Sequence, residues 1–92
     1  MSIISVFWSN IFEAIFASTL TVDEAKDIVY EHTAVLIDPI EISGVRSGTL
    51  SIDDWLDNLP ADHQFRARRI DPARIERACN ALAEHTLLPE PV

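Results

Sequence analysis

The residues of this chain that are best suited to catalysis or metal binding are three histidines and one cysteine. His32, His63 and His85 are far apart, and none has another histidine or the cysteine at the short spacing that zinc sites usually show. Cys79 and His85 are six residues apart on one predicted helix, which is a poor spacing for two ligands. Cys79 also belongs to an apolar stripe, which favours a buried structural thiol over a nucleophile. We therefore expect no enzyme activity, no metal and no cofactor.

Carboxylates form a more ordered pattern. Asp23, Asp27 and Glu31 recur every four residues, which places three negative charges along one helical face, and Tyr30 lies at its edge. Like charges at this spacing destabilise a helix by roughly 0.2–0.5 kcal/mol per pair. A second acidic set lies on the exposed side of a later predicted helix and consists of Asp53, Asp54 and Asp57. These faces either keep a small protein soluble or dock on a basic protein surface, with Tyr30 and Trp55 as aromatic anchors.

Basic residues are concentrated in one segment. Residues 65–77 have a formal net charge of +3, whereas residues 1–64 have a net charge of −9. Three interpretations of the arginines are open: pairing inside the chain or at an oligomer interface, binding of an acidic partner, and binding of nucleic acid phosphates. We favour pairing, because Phe65 is the only aromatic residue nearby that could stack on a base. The five arginines are Arg66, Arg68, Arg69, Arg74 and Arg77, and anion binding would use Arg66, Arg68 and Arg69.

Length and composition indicate one small domain over residues 1–92, with 48% hydrophobic residues and a net charge of −8. This charge opposes non-specific binding to nucleic acid or to an anionic membrane. A single cysteine excludes an intramolecular disulfide and is typical of a reducing compartment. The first basic residue is Lys26, so no secretory signal is recognisable, and residues 3–20 are too polar for a membrane span. We expect a cytoplasmic location.

Residues 3–18 have the pattern of a strongly apolar helix. Its apolar residues recur in i, i+4 pairs and cover about 220° of the helix circumference, which is wider than a surface helix requires. The helix is either the central core element, or a core element that also supplies an interface to a second subunit. In the second case a homodimer would form through Phe7, Trp8, Phe12 and Phe16.

Three further helices have recognisable start signals. Thr21 and Glu24 form a capping-box pattern at the start of a helix over about residues 22–33. Asp71 followed by proline at the first helical position predicts a last helix that runs to about Leu87. Between these, Pro60 can open a short helix that extends through Arg69. Residues 89–92 are expected to form a loose tail.

Residues 34–50 interrupt the helical period. Ile40 and Ile42 alternate with polar residues, Leu50 and Ile52 do the same, and two glycines lie between them. This alternation predicts a short β-hairpin or an extended segment. Ser51 competes with this interpretation, because it is also a good N-cap for a short amphipathic helix.

We predict a mainly α fold, a compact bundle of four to five helices with a short β-hairpin or extended segment near residues 34–50, and a small α+β fold is the alternative. The predicted function is that of a non-enzymatic binding or inhibitor protein whose acidic helical face competes with nucleic acid for a partner's basic surface. In size and charge the chain resembles phage-encoded inhibitors of host defence and immunity or antitoxin proteins. A dimeric nucleic-acid-binding regulator that uses the arginine segment is the alternative. No membrane interaction is expected.

Overall fold

Residues 3–86 are described by a computed structural model, and six helices and their connections make up this part of the chain. The predicted loose tail at residues 89–92 lies outside the described residues. The fold is mainly α, as predicted, with one helix more than expected. The helices are α1 (Ile3–Ala17), α2 (Val22–Thr33), α3 (Pro39–Ser47), α4 (Ile52–Asn58), α5 (Ala61–Arg68) and α6 (Pro72–Ala83).

Helix α1 is the central element. Its inner face carries Trp8, Ile11 and Phe12, which are buried in the middle of one hydrophobic cluster. Helices α2, α3, α4 and α6 all pack against α1, which explains why its apolar stripe is wider than that of a surface helix. The Trp8 and Trp55 rings meet edge to face with their centroids 5.1 Å apart. This contact joins α4 to the centre of the core.

Helices α1 and α6 end together, whereas α2 runs in the opposite direction along α6. Ser18 and Thr86 form an isolated antiparallel bridge, and the Thr19 N–H donates to the His85 carbonyl oxygen at 2.9 Å. Helix α6 ends at Ala83, earlier than the predicted end near Leu87, because the chain turns after Ala83 to make this bridge. The end of α2 consequently lies beside the beginning of α6.

The predicted β-hairpin near residues 34–50 is wrong, because this segment contains helix α3, and before α3 only residues 34–38 form a connection without helix. Asp38 caps α3 by accepting from the Ile40 N–H at 2.8 Å, and the Glu41 side chain accepts from the Asp38 N–H at 3.1 Å. The alternation of Ile40 and Ile42 looked like a strand, but Ile40 is 81% exposed and only Ile42 is buried. The α+β alternative is also wrong, since residues 3–86 contain no strand beyond the isolated bridge.

Two glycines explain how α3 ends. Gly48 is the C-cap residue at φ +82°, a left-handed conformation that glycine adopts without strain. Gly44 lies inside the helix, where an added Cβ would be 3.2 Å from the Leu50 Cβ. The small residue therefore lets the chain fold back closely after α3. Ser51 then caps α4 by accepting from the Asp54 N–H at 3.1 Å. The interpretation of Ser51 as a helix cap is therefore confirmed over its place in a strand.

Candidate functional site

Helix α2 presents the acidic face. Its N-terminus is fixed by the predicted capping box, in which the Glu24 N–H donates to Thr21 Oγ1 at 3.2 Å and the Thr21 N–H donates to Glu24 Oε1 at 3.1 Å. The Thr21 hydroxyl also donates to Glu24 Oε1 at 2.9 Å. The bond from the Thr21 N–H first, and then the bond from its hydroxyl, lower the pKa of Glu24 below its ordinary value. Ala25 and Val29 face the core, and the helical period turns the acidic stripe to the opposite side. Asp23, Asp27 and Glu31 are all exposed.

The three carboxylates of this stripe have different surroundings. Asp23 forms an ion pair with Lys26 at 3.6 Å on the same helix. Asp27 and Glu31 have no ion pair within residues 3–86. Tyr30, beside Glu31, is 48% exposed. We call Asp27, Tyr30 and Glu31 the α2 acidic face, because these residues combine free charge with an accessible aromatic ring.

The second predicted acidic set does not join this face. Helix α4, which carries it, packs mainly on α1 and α5, whereas α2 packs mainly on α6, α3 and α1. Asp53 accepts a hydrogen bond from the Ser5 hydroxyl, and Asp57 forms an ion pair with Arg68. Of the three, only Asp54 is exposed with neither an ion pair nor a hydrogen bond to its carboxylate in the described part of the chain. Trp55 is fully buried, so the predicted anchoring role of Trp55 is wrong.

The arginine segment divides into paired and unpaired side chains. Arg66 Nη1 donates to the Ala34 carbonyl oxygen at 2.9 Å, and its Nη2 lies 3.4 Å from Asp62 Oδ2. Arg68 is held by Asp57. Arg69, Arg74 and Arg77 have no ion pair in the range 3–86. Pairing within the chain therefore accounts for two of the five arginines.

A cleft of about 380 Å³ collects three of these arginines. Arg66 and Arg69 come from the end of α5 and Arg74 from the first turns of α6, so Arg68 of the predicted anion-binding set lies outside. The Arg69 guanidinium lies over the Phe65 ring, 4.7 Å from its centroid, and Phe65 remains 60% exposed. The lining consists of Thr33, Ala34, Phe65, Arg66, Arg69, Ile70, Asp71 and Arg74.

Sequence reasoning did not single out Arg74 or Ala34 for this cleft. Ala34 ends α2 with φ 58°, and its carbonyl oxygen holds Arg66. One signal was available in the sequence: the Asp71-Pro72 helix start sets Arg74 one turn into α6, close in the chain to Arg69. No local pattern indicates that the end of α2 closes the other side.

The aromatic residues proposed for a dimer interface lie at different depths. Trp8 and Phe12 belong to the core of the chain itself. Phe7 and Phe16 are partly buried against that core. Phe7 also lines a groove of about 610 Å³ between α1 and α6. The homodimer stays a prediction, and within the proposed set only Phe7 and Phe16 retain accessible surface.

The structure defines the surroundings of His63 and Cys79. His63 Nδ1 accepts from the Leu36 N–H at 3.3 Å, which positions its ring beside the connection after α2. Burial raises the pKa of the Cys79 thiol, so the less reactive neutral form is favoured. No group of three or more potential metal ligands occurs among the described residues.

The helices of the described range are also too short or too polar to cross a membrane. Comparison of the chain with known protein families, with curated proteins and with solved structures finds no match.

Proposed function

We propose that this protein is a non-enzymatic binding protein that docks its α2 acidic face on a basic surface of a protein partner. One observation carries the proposal: Asp27 and Glu31 are exposed at i, i+4 and have no cationic partner within residues 3–86. The two Cα atoms are about 6 Å apart along the helix axis, so their charges repel each other. Lysine or arginine side chains of a partner would relieve this repulsion and steer the approach of the two molecules.

Tyr30 supports the same interpretation. An amphipathic aromatic ring next to charged residues is a common anchor of protein interfaces. Exposed ion pairs alone contribute only about 0.2–1 kcal/mol each, so burial of Tyr30 would supply affinity and the carboxylates would supply selectivity. The target surface would be one that normally binds phosphates. The role would then be inhibition of a nucleic-acid-binding or defence protein, of the phage inhibitor, immunity or antitoxin type.

The alternative, a nucleic-acid-binding regulator, has less support. Arg68 is held by Asp57, and Arg66 is bound to the Ala34 carbonyl oxygen and lies near Asp62. Of the three arginines required for phosphate contacts, Arg68 is therefore neutralised within the chain, and it lies outside the cleft that Arg66 and Arg69 line.

The test compares two double variants with the same net charge. Asp27→Lys/Glu31→Lys reverses the α2 acidic face, whereas Glu13→Lys/Glu76→Lys reverses two exposed carboxylates beside the α1–α6 groove. Each protein is immobilised and used to capture host proteins at two salt concentrations. We expect the wild type and the Glu13/Glu76 variant to capture a basic protein, and the Asp27/Glu31 variant to capture none. Duplex DNA should displace the basic protein from the wild type.

Two results would contradict the proposal. Equal capture by both double variants would show that the α2 acidic face is not involved. Equal loss from both would show that only net charge matters. Far-UV circular dichroism of each variant must match that of the wild type, which separates loss of the surface from loss of the fold.

A further inference from the structure

We propose that the cleft between the end of α2, helix α5 and the start of α6 binds a small phosphomonoester that carries a planar ring, a ligand of the mononucleotide class. This site is separate from the α2 acidic face and goes beyond the proposed docking function. The cleft volume of about 380 Å³ is within the range of roughly 300–1,000 Å³ that is usual for small-molecule sites.

The charges that line the cleft favour an anion. The lining contains three arginines and one carboxylate, that of Asp71, with a formal charge of +2. Asp62 lies outside the lining, 3.4 Å from Arg66 Nη2, and offsets part of the charge of Arg66. Asp71 is engaged as the cap of α6, where its side chain accepts from the Ala73 N–H at 2.9 Å. A phosphomonoester carries a charge between −1.5 and −2 at neutral pH, and arginine is the side chain best matched to its oxygens.

Two of the three arginines are already held in position. Arg66 is fixed through Nη1 to the Ala34 carbonyl oxygen at 2.9 Å. Arg69 is fixed by its stacking contact with Phe65 at 4.7 Å. Arg74 has no ion pair within residues 3–86 and is the side chain free to close on a ligand. Such preorganisation lowers the loss of side-chain entropy that accompanies binding.

Phe65 accounts for the ring in the proposed ligand. The side chain is 60% exposed, although it lies next to a cleft that could have covered it. A planar base can stack on an aromatic face, and such stacking tolerates different bases. Phosphate and ring would therefore be recognised by adjacent groups, the three arginines and Phe65.

The rest of the molecule favours a small ligand over a nucleic acid strand. The chain has a net charge of −8, and Glu31 lies three residues before Ala34 on the helix that ends at the cleft. A strand that extends out of the cleft would place further phosphates near these carboxylates. A single phosphate in the cleft meets less repulsion than a strand, because each further phosphate of a strand would add a like-charge interaction of its own.

The test is a titration of the full chain with AMP, followed by two-dimensional NMR of the backbone amides. We expect saturable shifts around Ala34, Phe65 and Arg74, and about tenfold weaker binding of inorganic phosphate and of adenosine. Arg69→Gln and Arg74→Gln should each weaken AMP binding about tenfold. Arg77→Gln, on the same helix but outside the lining, is the matched control and should leave the affinity unchanged.

Phe65→Leu separates the two parts of the proposal, since it keeps an apolar side chain and removes the stacking face. It should weaken AMP binding more strongly than the binding of inorganic phosphate, because phosphate loses only the contact that positions Arg69, whereas AMP also loses the stacking face. No saturable shift with AMP, equal binding of AMP and phosphate, or equal sensitivity to Arg74→Gln and Arg77→Gln would each overturn the proposal. The proposal would also be overturned if an oligonucleotide bound more tightly than AMP and if Arg74→Gln and Arg77→Gln weakened that binding equally.

Discussion

The two tryptophans of the core make a matched pair for a test of how hydrogen bonding contributes to stability. Both side chains have 0% exposure, and their rings contact each other. Trp8 Nε1 donates to the Ala67 carbonyl oxygen at 2.9 Å. Trp55 Nε1 has no acceptor among the described residues. Substitution of each by phenylalanine therefore removes a similar apolar surface. At Trp8 it also removes a hydrogen bond, whereas at Trp55 it removes a buried N–H that has no acceptor.

The magnitude follows from three contributions. Partial truncation of a buried ring costs about 1–2 kcal/mol at either position, on the scale of other core truncations. Trp8→Phe also leaves the Ala67 carbonyl oxygen without its donor, which costs roughly 1–3 kcal/mol more. Trp55→Phe removes a buried N–H without a partner and regains roughly 1–3 kcal/mol. The free energy of unfolding of the two variants should therefore differ by about 2 kcal/mol or more, with Trp55→Phe the more stable.

Urea denaturation followed by far-UV circular dichroism measures this difference without depending on tryptophan fluorescence. At a typical slope of about 1–1.5 kcal/mol per molar urea for a small domain, a difference of about 2 kcal/mol separates the two midpoints by about 1.3–2 M. Equal midpoints, or a lower midpoint for Trp55→Phe, would refute the reasoning. The comparison is valid only if both variants keep the slope of the wild type.

Two further predictions use matched positions in the caps of the helices. Hydrogen bonds from Thr21 lower the pKa of Glu24. The stability that Glu24 adds is therefore present above its ordinary pKa of 4.5 and is lost on acidification. Burial raises the pKa of Glu41, so the contribution of Glu41 to stability is lost as the pH rises. In thermal unfolding at pH 3–7, Glu24→Gln should lose stability relative to the wild type with rising pH and Glu41→Gln should gain it; the same sign for both would contradict this. At φ 58° and φ +82°, Ala34→Gly should stabilise the protein by about 0.5–1 kcal/mol and Gly48→Ala should destabilise it by about 1 kcal/mol, measured by urea midpoints. Loss of stability in Ala34→Gly would show that its left-handed conformation carries no strain.

Helix starts could be predicted because their signals are local. Thr21, Ser51 and Asp71 each accept from a backbone N–H two or three residues further on, so the pattern is visible in a few consecutive letters. The start of α3 has the same kind of signal at Asp38, but the alternation of Ile40 and Ile42 indicated a strand. The capping pattern proved more informative than the alternation, because an exposed isoleucine can occupy any surface position.

In the candidate site, too, local features could be predicted from the sequence, and features that depend on helix packing could not. The direction of the α2 stripe could be predicted, because a helical period alone determines which residues share a face. The engagement of Asp57 by Arg68 could not, since it depends on how α4 and α5 pack. The cleft is still less predictable, because Ala34 and Arg74 come together only through the antiparallel packing of α2 on α6.

If the proposed docking function holds, the cleft would also restrict how a partner docks on the α2 acidic face. Glu31 and Ala34 are three residues apart, about 4.5 Å along the helix axis, which is shorter than the screening length of about 8 Å at physiological salt. A basic surface that covers Asp27 and Glu31 and extends past the end of α2 would meet Arg66 and Arg74, which line the cleft. Like charges in an interface penalise wrong orientations strongly. Under the proposed function, the arginines would therefore favour one docking direction, in which the partner's basic surface extends towards the N-terminus of α2.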